Sequence, residues 1–251
     1  MKVFSACLAM CLALLAGGRQ ALAETDSAPT CKGTLYLTFD TGNMRHAQLI
    51  ADTLARYGAK ATFFLAQEKT LRGDYALDAS WAAYWQARVA EGHAFGSHTW
   101  RHGSFLSDLG DGRVRYRLMD GTTETLDSPA ICQELKASDS RFRELTGHKL
   151  NPLWRAPGGR TTANTLAAAQ ACGYRHVGWA AAGFLGDELP SESYPNSVLL
   201  QRALERLKDG DIVMAHLGIW SRHDPFAPML DPLLVGLKAR GFCFSMLRAE
   251  P

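Results

Sequence analysis

Five ionisable side chains sit where apolar runs end. Asp40 closes the β-branched and apolar part of LYLTFDTGNM (35–44), His98 and His102 lie in GSHTWRH (96–102), Arg155 follows Leu153 and Trp154 in LWRAPGGR (153–160), and His216 falls in IVMAHLG (212–218). Two imidazoles four residues apart suit one divalent cation and, on a helical turn, would share a face. A carboxylate kept ionised by an arginine is a candidate base, and a further histidine a candidate acid. The set suits hydrolysis of a poor electrophile such as an amide. Water must be activated, an oxyanion stabilised and the departing amine protonated. Taken singly, a terminal Asp is commonly a cap, a lone His-x3-His solvated, an Arg a surface ion-pair partner and a His a satisfied core group. The argument therefore rests on their common placement. A metal hydrolase would also want a second acid beside Asp40, and position 41 is Thr, a neutral and weaker oxygen donor.

The elements that must position them are read from periodicity. Short apolar strands over 34–39, 61–65, 94–97, 152–156, 174–179, 211–215 and 242–247 alternate with amphipathic helices near 46–57, 80–91, 130–146, 162–172, 197–208 and 228–240. Glycines follow the helices, where left-handed caps belong. Repeated strand-helix units argue for an α/β fold with a parallel sheet, either an irregular barrel or an open doubly wound sheet, with chemistry at the C-terminal strand ends in both. One interruption, GRVRYRLMDGTTETLD (112–127), alternates with period two around Asp120-Gly121 and reads as an inserted β-hairpin on the functional rim.

Residues 1–23 read as a signal peptide: Lys2, an apolar stretch too short to span a bilayer comfortably, then Ala-Leu-Ala at 21–23. The expectation is an exported protein, periplasmic or secreted, with no transmembrane span in the mature chain. Residues 24–251 then form one catalytic domain. Removing the leader takes one lysine and one arginine from 27 basic residues and none of the 25 acidic ones. The mature chain is near neutral, which gives no electrostatic case for nucleic acid or an anionic membrane surface as partner. Cys31, Cys132, Cys172 and Cys243 are an even number in an oxidising compartment, with none of the close spacing of a zinc site. Cys31 precedes the first strand and Cys243 lies early in the last. In a nearly closed barrel those strands can be neighbours, so a Cys31–Cys243 bridge is expected. Trp81 and Trp85 are expected in the core, and Trp100 and Trp220 on the rim as rings that stack on sugar faces. His46, His148 and His176 read as surface, and His93 as structural.

TFDTG, HTWRH, RAPGG and MAHLG, in this order and at these separations, resemble the polysaccharide deacetylase family, which includes chitooligosaccharide, chitin and peptidoglycan N-deacetylases. The resemblance spans about residues 33–247. It implies an irregular (β/α)7-type barrel and one divalent metal ion, usually zinc. Carried over by residue, it makes Asp40 the base, His98 and His102 the metal-binding histidines, Arg155 the group that holds the base and His216 the general acid. Gly158 stands where a backbone N–H meets the oxyanion. The substrate implied is an N-acetylated polysaccharide of the cell envelope or outside the cell, peptidoglycan or a GlcNAc polymer.

The chain departs from the family twice. The usual adjacent aspartates would put a metal ligand at position 41, where Thr41 stands. Relatives that act on N-acetylmuramic acid also lack that aspartate, having Asn. The expectation is a weakly and reversibly held ion, tightened by Thr41→Asp. The acid that usually orients the general-acid histidine, near Trp179, is also missing: GWAAAGFLGDELP (178–190) has its first acid at Asp187, a candidate from a shifted position. Two rival readings are a carbohydrate-binding pseudoenzyme and a metal-free amidohydrolase of the same superfamily. Oligomeric state is not legible in the sequence.

Overall fold

The computed structural model describes residue 1 and residues 31–248, so the expected signal peptide lies, but for Met1, outside the described residues. The chain from Cys31 onward is one compact unit. Its frame is a seven-stranded sheet, parallel in every pairing: β1 (Gly33–Asp40), β2 (Thr62–Leu65), β3 (Ala94–Ser97), β7 (Leu153–Trp154), β8 (Arg175–His176), β9 (Ile212–His216) and β10 (Phe242–Ser245). Helices α1 (Ala47–Arg56), α2 (Ala82–Ala90), α3 (Ser128–Thr146), α4 (Ala163–Ala171), α5 (Asn196–Arg206) and α6 (Leu230–Ala239) connect the strands.

β1 is the axis of the fold. Tyr36–Asp40 pair with β9, while Gly33–Tyr36 pair with β10 and Thr38–Asp40 with β2, so β10 and β2 share the edge opposite β9. Period-two alternation divides its side chains. Leu35, Leu37 and Phe39 are buried in the main core with Leu54 of α1 and Leu233, Leu234 and Leu237 of α6. On the other face, Thr38 and Asp40 both meet Arg155, and Tyr36 packs on an inner cluster of Phe64, Leu153, Val177 and Leu247. The sheet thus curls around a small apolar core of its own. The gap between β8 and β9 is bridged by the segment after β8, through Ala180 N–H to Ile212 O at 3.1 Å and Leu185 N–H to Met214 O at 3.3 Å. This is the expected irregular (β/α)7-type barrel.

β7 and β8 are shorter than their apolar runs suggest. Beyond His176, the carbonyls of Val177 and Gly178 accept hydrogen bonds from Arg155. The insertion is larger than a hairpin: β4 (Ser104–Asp108), β5 (Val114–Arg117) and β6 (Thr123–Leu126) form a three-stranded antiparallel sheet. β4 has little alternation, and its pairing with β5 shifts register between Phe105 and Ser107. The small sheet packs Phe105, Val114, Tyr116 and Leu126 against Ile131 and Leu135 of α3 and Trp154 of β7. Asp127 caps α3, accepting from Ala130 N–H at 2.9 Å, and left-handed Gly147 (φ 77°) ends it.

Cys31 and Cys243 are bridged with Cα atoms 5.6 Å apart, as the β1–β10 pairing requires, and Cys132 of α3 is bridged to Cys172 after α4. Trp85 is fully buried and donates to Ala76 O at 2.8 Å, and Trp81 is also core. His176 is not a surface group. It is half-buried, stacks edge-on against Trp154 and accepts from Ala156 N–H at 3.3 Å. Among the described residues no helix is long and apolar enough to cross a membrane.

Candidate active site

The C-terminal ends of the parallel strands deliver the candidate side chains to one edge. Asp40 lies in register between Phe64 of β2 and His216 of β9. Its carboxylate is buried, with Oδ1 2.9 Å from Arg155 Nη1 and Oδ2 3.6 Å from His98 Nε2. Arg155 is completely buried, and its guanidinium makes four hydrogen bonds. Nη1 also donates to Thr38 Oγ1 at 2.8 Å, Nε to Val177 O at 3.2 Å and Nη2 to Gly178 O at 3.0 Å, with the guanidinium over the Phe64 ring. Burial alone would raise the Asp40 pKa. Arg155, then His98 and His216, outweigh it and hold the carboxyl below the usual range, so Asp40 is ionised at neutral pH.

His98 and His102 meet, but not on a helical turn. Residues 98–102 form a loop in which two non-glycine residues, Thr99 (φ 66°) and His102 (φ 51°), are left-handed. Tertiary contacts hold this uncommon backbone. Ser138 Oγ donates to Thr99 O at 3.1 Å, Gly103 N–H donates to Tyr116 OH at 2.8 Å, and Arg101 pairs with Glu124 and Glu134. The inserted sheet and α3 therefore fix the histidine loop. His98 Nδ1 lies 2.9 Å from Arg155 O, an acceptor only, so Nδ1 carries the hydrogen and Nε2 the lone pair. Burial lowers the His98 pKa to about 4, against the pull of Asp40, so the ring is neutral. The two Nε2 atoms face each other at 3.2 Å. Two nitrogens bonded to one tetrahedral zinc at about 2.0–2.1 Å would lie about 3.3–3.4 Å apart, so the pair has the spacing of two ligands of one cation; among the described residues no group of three or more His, Cys, Asp or Glu side chains is arranged to hold a metal.

Thr41 does not present a free hydroxyl. Oγ1 accepts from Ala66 N–H at 3.2 Å and donates its one hydrogen to Glu68 Oε2 at 2.5 Å. Glu68, just past the end of β2, was missed in the sequence reading, which took the ends of β1, β3, β7 and β9 and passed over this one. Its Oε2 also accepts from Gly42 N–H at 2.7 Å, and Oε1 lies 3.5 Å from His102 Nδ1. Burial would raise its pKa, but His102 and His98, with the bonds from Thr41 and Gly42, hold it low and charged. Gly42 must be glycine, because φ is +57° and a Cβ would stand 2.1 Å from Gly218 O. Thr41 thus stands beside a carboxylate that comes from past the end of another strand.

On the far side of Asp40, His216 is backed by Asp187. The Asp187 carboxylate accepts from His216 N–H at 2.7 Å and lies 3.1 Å from Nδ1. Glu188 stands 3.9 Å from Nε2. Burial disfavours the imidazolium, but Asp187 outweighs it and, with Asp40 and Glu188, pushes the His216 pKa up to about 10. Gly158 lies on an exposed loop at the end of β7, left-handed at φ +63°, where a Cβ would meet nothing within 4 Å. Trp179, also missed, stacks beside Arg155 and closes on Gly159. Trp100 and Trp220 line one cavity of ≈ 610 Å³ with Glu68, Tyr75, His102 and Met119, the last from the β5–β6 turn. Trp220 is 61% exposed and Met119 72%, an open apolar rim beside the histidines.

A curled parallel sheet of the barrel type thus carries a buried Asp-Arg pair, two facing imidazoles and an acid-backed histidine at its C-terminal edge. Residues 27–177 match the family model for polysaccharide deacetylase, and the chain belongs to that family. It is 28% identical over 217 residues to an uncharacterised 30.6 kDa protein of Geobacillus stearothermophilus, covering 86% of this chain and 70% of that one. It is 29% identical over 151 residues to a chitin deacetylase of a Pestalotiopsis species, covering 60% of this chain but only 42% of the fungal protein. The fold matches the Xyl-CE4 domain of a multidomain xylanase from the hindgut metagenome of Trinervitermes trinervoides, with a TM-score of 0.66, 21% identity, and 86% and 87% of the two chains covered.

Proposed function

We propose that the protein is an exported, metal-assisted N-deacetylase of acetylated polysaccharide, releasing acetate and leaving a free amino sugar. The observation that carries this reading is the convergence of three units at one sheet edge: Asp40 with Arg155, His98 facing His102, and His216 with Asp187. His98 and His102 would hold a divalent ion, zinc in the first instance. When bound, that ion polarises the acetyl carbonyl and makes water a better nucleophile. Asp40, ionised and anchored by Arg155, accepts the proton of the attacking water. The Gly158 N–H is the backbone donor for the oxyanion. His216, charged at neutral pH through Asp187, gives a proton to the leaving nitrogen, without which an amide nitrogen cannot depart. Trp100 and Trp220 supply ring faces for sugars on the open rim. Two disulfides support folding in an oxidising compartment, periplasmic or extracellular.

The test is acetate release by metal-depleted protein, with and without added zinc, on N-acetylchitooligosaccharides, peptidoglycan and acetylated xylan. Zinc-dependent acetate from the N-acetylated glycans is expected. Release only from xylan esters would make the protein an O-deacetylase. Full activity under chelation would leave Asp40 a base working without metal, and no release from any substrate would favour a binding protein.

A further inference from the structure

Position 41 and Glu68 form a matched pair. An aspartate at 41 would place its Cγ about where Thr41 Oγ1 stands, 2.5 Å from Glu68 Oε2, with its oxygens one bond further out, and two buried anions in such contact repel. A hydroxyl there does the opposite, since it donates its hydrogen to the glutamate. The Gly42 N–H reinforces the hold, so Oε2 has two donors on it, while Oε1 is turned towards Nδ1 of His102. The Glu68 side chain is only 14% exposed, and Lys69 and Arg101, the cations on the cavity wall, make no ion pair with it among the described residues. A buried charge needs a partner, and hydrogen bonds from Thr41 and Gly42 offset only part of its desolvation.

We propose that Glu68 supplies the negative charge of the divalent-cation site in place of a carboxylate at position 41, with Thr41 as the positioning residue that holds it. This deepens the deacetylase reading and rests on its metal. Glu68 acts on the side of His102 away from His98. Nδ1 of His102 has two acceptors beside it, Met119 Sδ at 3.4 Å and Glu68 Oε1 at 3.5 Å, and a hydrogen held there leaves the Nε2 lone pair facing that of His98 across 3.2 Å. Two lone pairs at that distance repel one another unless a cation lies between them. Glu68 therefore favours the tautomer that binds and adds negative charge on the His102 side, as Asp40, 3.6 Å from His98 Nε2, does on the other. The charge that a carboxylate at position 41 would bring comes instead from past the end of β2, and a weak site does not follow from Thr41.

The experiment is a zinc titration against a competing chelator, supported by the visible d–d spectrum of the cobalt(II)-substituted protein, so that affinity and coordination are read without activity. Glu68→Gln is expected to loosen zinc about 10- to 100-fold, the range typical of losing a carboxylate behind a ligating histidine. Thr41→Val is expected to loosen it too, and the double variant Thr41→Asp/Glu68→Gln, which returns the charge to position 41, to recover most of the loss. Thermal melts of each apo-protein separate folding from binding. Zinc affinity unchanged in folded Glu68→Gln overturns the proposal and leaves the deacetylase reading intact, as does a double variant no tighter than Glu68→Gln. Absence of zinc or cobalt binding by the wild type overturns both.

Discussion

Replacing Asp187 by Asn keeps the shape of the side chain that backs His216 and removes its charge. In the wild type the imidazolium survives to about pH 10 because Asp187, helped by Asp40 and Glu188, outweighs burial. Without that carboxylate, burial is the leading influence, and the His216 pKa falls to its ordinary 6.5 or below. At about pH 7.5 a group with that pKa is only about one-tenth protonated, so acetate release should fall at least about tenfold; at about pH 9 the deficit should reach about 300-fold. The assay is kcat and kcat/KM for acetate release across this range with saturating zinc, and the signature is an alkaline limb displaced downwards by at least about 3.5 pH units. The same linkage acts on stability. A folded-state pKa raised above the unfolded value contributes stability that is fully present below about pH 6.5 and is lost as pH rises through about 10. The Asn variant should therefore be destabilised most at and below about pH 6.5, with the difference from wild type shrinking as pH rises towards about 10. A variant with the wild-type alkaline limb would refute the reasoning, because His216 would then not owe its proton to Asp187.

Arg155→Met removes the partner of a buried carboxylate and should cost about 3–5 kcal/mol in urea unfolding, as breaking buried ion pairs does; a loss under about 1 kcal/mol would show that Asp40 is satisfied by other groups. Substituting both Cys132 and Cys172 by Ala opens a bridge across a sequence separation of 40 and should cost about 4 kcal/mol on the chain-entropy estimate, read from unfolding under oxidising conditions. Trp220→Ala should raise KM for oligosaccharides several-fold with little change in kcat, and leave stability within about 0.5 kcal/mol because the ring is mostly exposed. An unchanged KM would remove Trp220 from the sugar path.

Much of the fold was legible in the sequence because its signals are local. The period-two run ending at Asp40, the helical stretches and the glycines after them specify strand-helix units, and parallel units place strand ends, hence Asp40, His98, Arg155 and His216, on one edge. The Cys31–Cys243 bridge follows from the same topology. What the sequence could not settle depends on residues far apart in the chain. The pairing of His98 with His102 comes from a left-handed loop that the inserted sheet and α3 hold, not from helical spacing. Asp187 reaches His216 across the closing segment, though no periodicity marks it. Position 41 is the sharpest case. By itself Thr41 reads as a lost ligand, and only tertiary packing brings Glu68, from the end of another strand, within 2.5 Å of it. Local sequence determines which elements form and which way they point. The charge balance of a site is summed over side chains that only the folded chain makes neighbours.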